Sequence, residues 1–304
     1  MAEMTTAERR GYQQICGDNG AIMTIACDQR GGIRKILAPD VEGQKRITDR
    51  QLGDVKCDVV KHLAAHAACV LLDSVCAVPR VIDEGALSRS TALLIGLDAS
   101  GYDEDDAGHY RSRLVKGLSA RKVRELGGTG GKIMVYLRAD HPNAHAHNLE
   151  ILSHCIDDFA AEDLLLVVEF LTHPLRHEDP VAYKEVFPSL VEGGSKMCLD
   201  AGAKVLKIPF PGNRAACEAV TRLAGDVPWA VLSAGVDHAA FLPQVETAMA
   251  AGASGVIAGR SLWKDCVFLD RAKTQAALVG KALPRLREIQ AVLDRHPRPV
   301  AAAS

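Results

Sequence analysis

The chain has 304 residues, 48% of them apolar and 24% charged, with a formal net charge of -2. Those proportions describe an ordinary globular protein, and the near-neutral balance without a Lys/Arg block argues against a nucleic-acid partner. No run approaches the roughly 18 apolar residues of a membrane span, and Met1 to Arg10 carries charges in place of an apolar signal core. A cytoplasmic protein without a membrane partner is therefore expected. The nine cysteines include no C-x-x-C pair, which suits reduced, partly buried thiols.

In chain order, the N-terminus reads as a capping helix within about residues 1–18. The first apolar run, Ala21–Cys27, leads into Asp28-Gln29-Arg30-Gly31-Gly32. This polar stretch is either a turn with a helix cap or a set of side chains at a barrel mouth, where Arg30 can fork onto an anion. Arg50 to His66 carries Leu52, Val55, Val59, Val60 and Leu63 at helical spacing. Two more runs follow, Ala68–Asp73, ending on an acid, and Thr91–Gly96. The fourth, Lys132–Arg138, comes after Gly127-Gly128-Thr129-Gly130-Gly131, a loop that leaves its register open. Lys132 at its start is either an active-site cation or a charge at the barrel floor, and Arg138 at its end is the better placed for the mouth. His141, His145 and His147 then occupy a polar loop with no carboxylate at ligand spacing, so no metal is expected there. Asn148 to Phe159 is helical, with Leu149, Leu152, Ile156 and Phe159 on one face. The last four runs are Leu164–Glu169, Ala203–Ile208, Trp229–Ser233 and Gly255–Gly259, and the tail from about Pro297 to Ser304 reads as frayed.

Strands alternating with helices imply βαβ units and a parallel sheet. Eight of them in a chain of this length favour a single (β/α)8 barrel, whose usual size is roughly 250 residues. No G-x-G-x-x-G follows the first strand, which weakens a dinucleotide-binding fold.

Two of the buried-looking strands end on a charge: Leu164-Leu165-Leu166-Val167-Val168 on Glu169, and Ala203-Lys204-Val205-Leu206 on Lys207. The C-terminal ends of barrel strands are where barrel enzymes place their chemistry. A strand-end lysine is often only a snorkelling cation, and a strand-end glutamate a rim salt bridge. Pro209 and Pro211 end the sixth strand directly after Lys207 and suit a side chain held in the mouth. Desolvation disfavours a charged amine, and a neutral amine attacks a ketone to form an iminium. Lys204 lies an odd number of positions away and should face the helices. Lys207 is thus the expected nucleophile and Glu169 its acid/base partner. Ser233-Ala234-Gly235 after strand seven and Gly259-Arg260 after strand eight expose backbone N–H groups beside a positive charge, as in the common phosphate site of this barrel. Arg260 and Arg30, neighbours once the barrel closes, are expected to flank one anion.

Several segments together resemble the class I tagatose-bisphosphate aldolase family: Ala26 to Gly31, Leu71-Leu72-Asp73, Val168-Glu169, Val205-Leu206-Lys207, Leu232 to Val236 and Ala258 to Trp263. The likeness spans nearly the whole barrel, in order. Within the family, Pro228-Trp229 through Asp237, Ala251 to Gly255 and Gly259-Arg260 look most like sulfofructosephosphate aldolases. The resemblance implies a TIM barrel with the Schiff-base lysine at Lys207, the acid/base glutamate at Glu169 and the family's strand-four lysine at Lys132. It places the sulfonate on Gln29, Arg30, Ser233, Ala234, Gly235, Gly259 and Arg260. By strand position alone, Asp28, Asp73 and Arg138 are also expected at the mouth. One position departs: Ala234 stands where the sulfosugar branch has a second Ser and the tagatose branch has Ala. The expected reaction is retro-aldol cleavage of 6-deoxy-6-sulfofructose 1-phosphate to dihydroxyacetone phosphate and sulfolactaldehyde. The alternative is cleavage of tagatose 1,6-bisphosphate to dihydroxyacetone phosphate and glyceraldehyde 3-phosphate. A metal-dependent aldolase and a non-catalytic sugar-phosphate binder are further alternatives. The iminium is the electron sink, so no cofactor is expected; a homo-oligomer is.

Overall fold

The computed structural model describes residues 3–298. Eight parallel strands close on themselves: β1 (Ile22–Cys27), β2 (Cys69–Asp73), β3 (Ala92–Gly96), β4 (Gly130–Tyr136), β5 (Leu165–Leu171), β6 (Leu206–Pro209), β7 (Trp229–Leu232) and β8 (Gly255–Ala258). Each pairs with its neighbour in sequence and β8 returns to β1, so the barrel read from the alternation is the observed fold. Helices fill the connections, the long Asp49–Leu63 and Ala146–Ala161 among them. The first starts on a capping box between Thr48 and Gln51. No helix among the described residues is long and apolar enough to cross a membrane.

Side chains alternate faces along a strand, and this produces the layering inside the barrel. On β5 Leu165 and Val167 point inward below Glu169; on β6 Val205 precedes Lys207; on β1 Ile22 and Ala26 lead up to Asp28. The lower residues form an inner apolar cluster with Leu71, Leu94, Ala230 and Ile257, distinct from the larger core between barrel and helices. Inside the barrel the charged side chains thereby lie toward the C-terminal mouth. The helix Thr6–Ile15, started by a capping box of Thr5 and Glu8, covers the floor with Tyr12 and Ile15 in the inner cluster. Glu8 takes both Lys204 contacts, at 2.6 and 2.8 Å.

Several expected boundaries move. β4 starts at Gly130 and stops at Tyr136, which leaves Arg138 beyond its end. Gly131 serves as strand because a Cβ there would stand 2.3 Å from the Phe159 ring; its glycine marks close packing rather than a loop. A hairpin of Asp103–Glu104 and Tyr110–Arg111 is inserted between β3 and β4. Pro297 and Arg298 do not fray. Arg298 donates to the carbonyls of Ala253 (2.8 Å) and Met249 (2.5 Å), and its N–H to Asn19 (2.8 Å). The rest of the expected tail, 299–304, lies outside the described residues.

Candidate active site

Barrel register brings the charged side chains together. Glu169 pairs directly across from Lys207, and Lys207 Nζ donates to Glu169 Oε2 at 2.9 Å with both side chains buried. Lys132 is early in β4, yet it pairs with Gly96, the last residue of β3. The stagger of the barrel puts it level with the mouth, which answers whether it belongs to the floor. Its ammonium lies 2.8 Å from Asp28 Oδ2, 2.5 Å from Asp98 Oδ1 and 3.2 Å from Glu169 Oε2. Glu169 Oε2 therefore faces both amines.

The electrostatics follow from that arrangement. Burial opposes a charge on Lys132, but Asp28, Asp98 and Glu169 outweigh it and raise its pKa well above the usual lysine value. These surroundings favour the ammonium form of Lys132. Burial also works against the Asp28 carboxylate, and the cations Lys132 and Lys207 overcome it to hold Asp28 well below the usual range. Asp98 goes the other way: burial, reinforced by Asp28 and Glu169 and opposed by Lys132, raises it. Tyr136, at the top of β4, is pushed up to about 12 by burial, Tyr102 and the charges of Asp98 and Glu169. It remains a hydroxyl donor on the wall of the site.

Around this centre lie the anion-binding candidates. Arg260 packs against the loop after β7, where a Cβ on Gly235 (φ +81°) would be 3.1 Å from its Cζ; it also lies by Gly32. Ala234 takes φ +46°, unusual for a residue with a side chain. Ser233 is buried, and a Cβ on Gly259 would face the Gln29 amide. Arg30 turns toward β2 and β3 instead, donating to Ser100 Oγ at 3.0 Å and the Asp98 carbonyl at 3.4 Å, with Asp73 at 3.8 Å. Arg30 is thus held on Ser100, Asp98 and Asp73, while Arg260 lies along the loop after β7 and beside Gly32. Arg30 Nη1 and Gln29 Oε1 are buried without a hydrogen-bond partner among the described residues, Nη1 having only the 3.8 Å ion pair to Asp73.

Two expected substrate ligands are occupied within the protein. All five N–H donors of Arg138 are taken: by Asp140 at 2.9 and 2.7 Å, by Glu178 and by the His173 carbonyl at 2.9 Å. Its side chain is 1% exposed, so it stitches the loops after β4 and β5 and is corrected from a clamp to a structural residue. Asp73 is paired with the fully buried Lys56 and accepts the Val75 and Cys76 N–H groups, which fixes the β2 loop. The loop histidines are also engaged. His145 Nε2 lies against the Arg138 backbone and His147 Nε2 is 3.0 Å from the Ser112 carbonyl. Among the described residues no group of three or more His, Cys, Asp or Glu could hold a metal ion.

Sequence reasoning missed Lys56, Asp98 and Tyr136. Lys56 stands four residues from Leu52 and from Val60, on the apolar stripe of its helix, and that lysine on a buried face was the readable signal. Asp98 falls two residues past β3 and Tyr136 shares the inward face of β4 with Lys132.

A buried lysine hydrogen-bonded to a carboxylate at a barrel mouth, with arginines and glycine loops around it, is an arrangement able to do carbonyl chemistry. The DeoC/LacD family of aldolases matches residues 22–265. The chain belongs to this family. It is accordingly a lyase, an aldolase of class I. Tagatose 1,6-diphosphate aldolase 1 of Streptococcus pyogenes serotype M1 is 27% identical over 327 residues, covering 97% of this chain and 98% of the relative. Tagatose 1,6-diphosphate aldolase of Listeria monocytogenes serovar 1/2a is 28% identical over 298 residues, covering 87% and 84%. Among solved structures, an archaeal fructose 1,6-bisphosphate aldolase superposes with a TM-score of 0.66 at 20% identity, over 94% of this chain and 99% of that one. That likeness carries the fold.

Proposed function

We propose that this aldolase cleaves a ketohexose 1,6-bisphosphate of the tagatose type through a Schiff base on Lys207, releasing dihydroxyacetone phosphate and glyceraldehyde 3-phosphate. The observation that carries the reading is the 2.9 Å contact between Lys207 Nζ and Glu169 Oε2 in the buried mouth. Lys207 must lose a proton before it attacks the C2 ketone, and Glu169 is the acceptor already in place. The same carboxyl returns that proton to the carbinolamine oxygen, which leaves as water. The C3–C4 bonding electrons then flow into the iminium, giving an enamine and the three-carbon aldehyde. Protonation of the enamine and hydrolysis of the imine free dihydroxyacetone phosphate and restore Lys207. Lys132, fixed as an ammonium, holds Glu169 and Asp28 in position.

The relatives named above support a bisphosphate over the sulfosugar, and Ala234 agrees with the tagatose branch of the family. Two arginines at the mouth with different neighbours also suit a substrate with an anion at each end. Arg260 with Ser233, Gly235 and Gly259 serves one phosphate; Arg30, whose buried Nη1 has no hydrogen-bond partner among the described residues, serves the other. Borohydride treatment with dihydroxyacetone phosphate tests the chemistry, and the expected adduct maps to Lys207. Cleavage assays with tagatose 1,6-bisphosphate and 6-deoxy-6-sulfofructose 1-phosphate test the substrate. A higher kcat/KM for the bisphosphate is expected, and the reverse order returns the sulfosugar. Activity that survives a chelator separates the imine from metal-dependent cleavage.

A further inference from the structure

Retro-aldol cleavage needs a base for the C4 hydroxyl as well as an amine for C2, and three carboxylates surround Lys132. Asp28 has both oxygens engaged, Oδ2 by Lys132 at 2.8 Å and Oδ1 by the Gln29 amide at 2.7 Å. Glu169 is held by Oε2 between Lys207 at 2.9 Å and Lys132 at 3.2 Å, beside the atom that becomes the imine nitrogen. Asp98 keeps one oxygen free, as Glu169 keeps Oε1, but it makes no ion pair with Lys207: its Oδ1 meets Lys132, and no hydrogen bond among the described residues takes Oδ2. Its side chain is 18% exposed, against 7% for Asp28 and 9% for Glu169, so of the three it opens most to the mouth. Its backbone is anchored as well. The Asp98 carbonyl accepts from Arg30 at 3.4 Å, and Asp98 forms a bridge with Leu114 that ties the β3 end to the inserted segment.

We propose that Asp98 is the second catalytic carboxylate of this site, the base that removes the C4 hydroxyl proton as the C3–C4 bond breaks. The proposal rests on the Schiff-base reading above and divides the proton work between two acids. Glu169 serves C2, where water leaves and returns. Asp98 Oδ2 serves C4, two carbons further along the substrate, on the side where Arg30 approaches. The hydroxyl proton moves to Asp98, the oxygen's electrons form the aldehyde C=O, and the C3–C4 pair passes to the iminium as enamine. After the aldehyde departs, the proton leaves through the partly exposed edge of Asp98. Burial and the neighbouring charges of Asp28 and Glu169, against the pull of Lys132, make this carboxylate more basic than one in water, as a base requires.

The test compares wild type with Asp98→Asn, which keeps shape but cannot take a proton. Cleavage of tagatose 1,6-bisphosphate should fall by about 10²–10⁴-fold in kcat, the range for a lost general base. Borohydride trapping with dihydroxyacetone phosphate should continue at the wild-type level. So should exchange of the carbon-bound proton beside the imine with deuterated solvent, since neither step involves C4. Asp98→Glu, which restores a carboxylate, should recover part of the cleavage and serves as the second variant if Asp98→Asn fails to fold. Wild-type cleavage by Asp98→Asn overturns the proposal. Loss of trapping together with cleavage in a folded Asp98→Asn also overturns it, because Asp98 would then only hold Lys132. Absence of an adduct in wild type instead overturns the Schiff base itself.

Discussion

Lys207 and Lys132 are both buried lysines beside Glu169, and their difference lies in their partners. Lys132 faces three carboxylates and stays charged; Lys207 faces Glu169 alone among the ion pairs of the described residues. Lys207→Arg should therefore retain the fold and lose both turnover and borohydride adduct, because a guanidinium does not condense with a ketone. A variant that still forms the adduct, mapped by mass spectrometry to another lysine, would refute the assignment. Glu169→Gln should fold and lose about 10²–10⁴-fold in kcat; a stopped-flow rate equal to wild type would return Glu169 to a structural ion pair. Lys132→Met should act on stability as well, since it strands buried carboxylates. Breaking a buried ion pair typically costs about 3–5 kcal/mol, to be read as a lower denaturation midpoint in urea.

At the scale of elements, β4 does most to assemble the site. It carries Lys132 and Tyr136 on its inner face and delivers Arg138 to the loop network above. Its placement depends on two glycines that let Phe159 and the backbone of Leu165 approach it closely. Gly131→Ala should push Phe159 and the strand apart at a cost of about 1–3 kcal/mol, typical of overpacking. The double variant with Phe159→Leu should recover part of the loss in thermal denaturation; no recovery would mean that the clash lies elsewhere. The loop after β7 shows a related economy of space, with Ala234 and Gly235 both at positive φ beneath Arg260.

Across the whole molecule, buried histidines contribute to the response to acid. His173 is stacked on Tyr110 at 4.0 Å and its Nε2 accepts the Tyr110 N–H at 3.3 Å. Burial, with Arg138, His145 and His109 nearby, lowers its pKa to about 4. The unfolded chain binds that proton below about 6.5 while the folded chain does not. The stability it contributes is complete above pH 6.5 and is lost as pH falls toward 4, by up to about 3 kcal/mol. His145 is lowered for the same first reason and acts in the same direction. Unfolding free energy measured from pH 7 to 4 should decline across that window, and His173→Phe should flatten the decline. An unchanged slope in that variant would place the acid sensitivity elsewhere.

The primary structure determined the barrel and its chemical centre. The alternation of strands and helices is local, the period of two puts Leu165, Val167 and Glu169 on one face, and Pro209 and Pro211 mark the end of the strand that carries Lys207. The spacing that separates Lys204 from Lys207 is likewise a property of one strand. What the tertiary structure decided depends on distances between strands. The stagger that lifts Lys132 to the level of Gly96 is absent from any single segment. So are the acids and the His173 carbonyl that occupy the donors of Arg138, the pairing of Asp73 with Lys56, and the contacts of Arg30 with Ser100 and the Asp98 carbonyl. Asp98 belongs to this second group: two residues past β3 it reads as a loop acid, and only closure of the barrel sets it against Lys132.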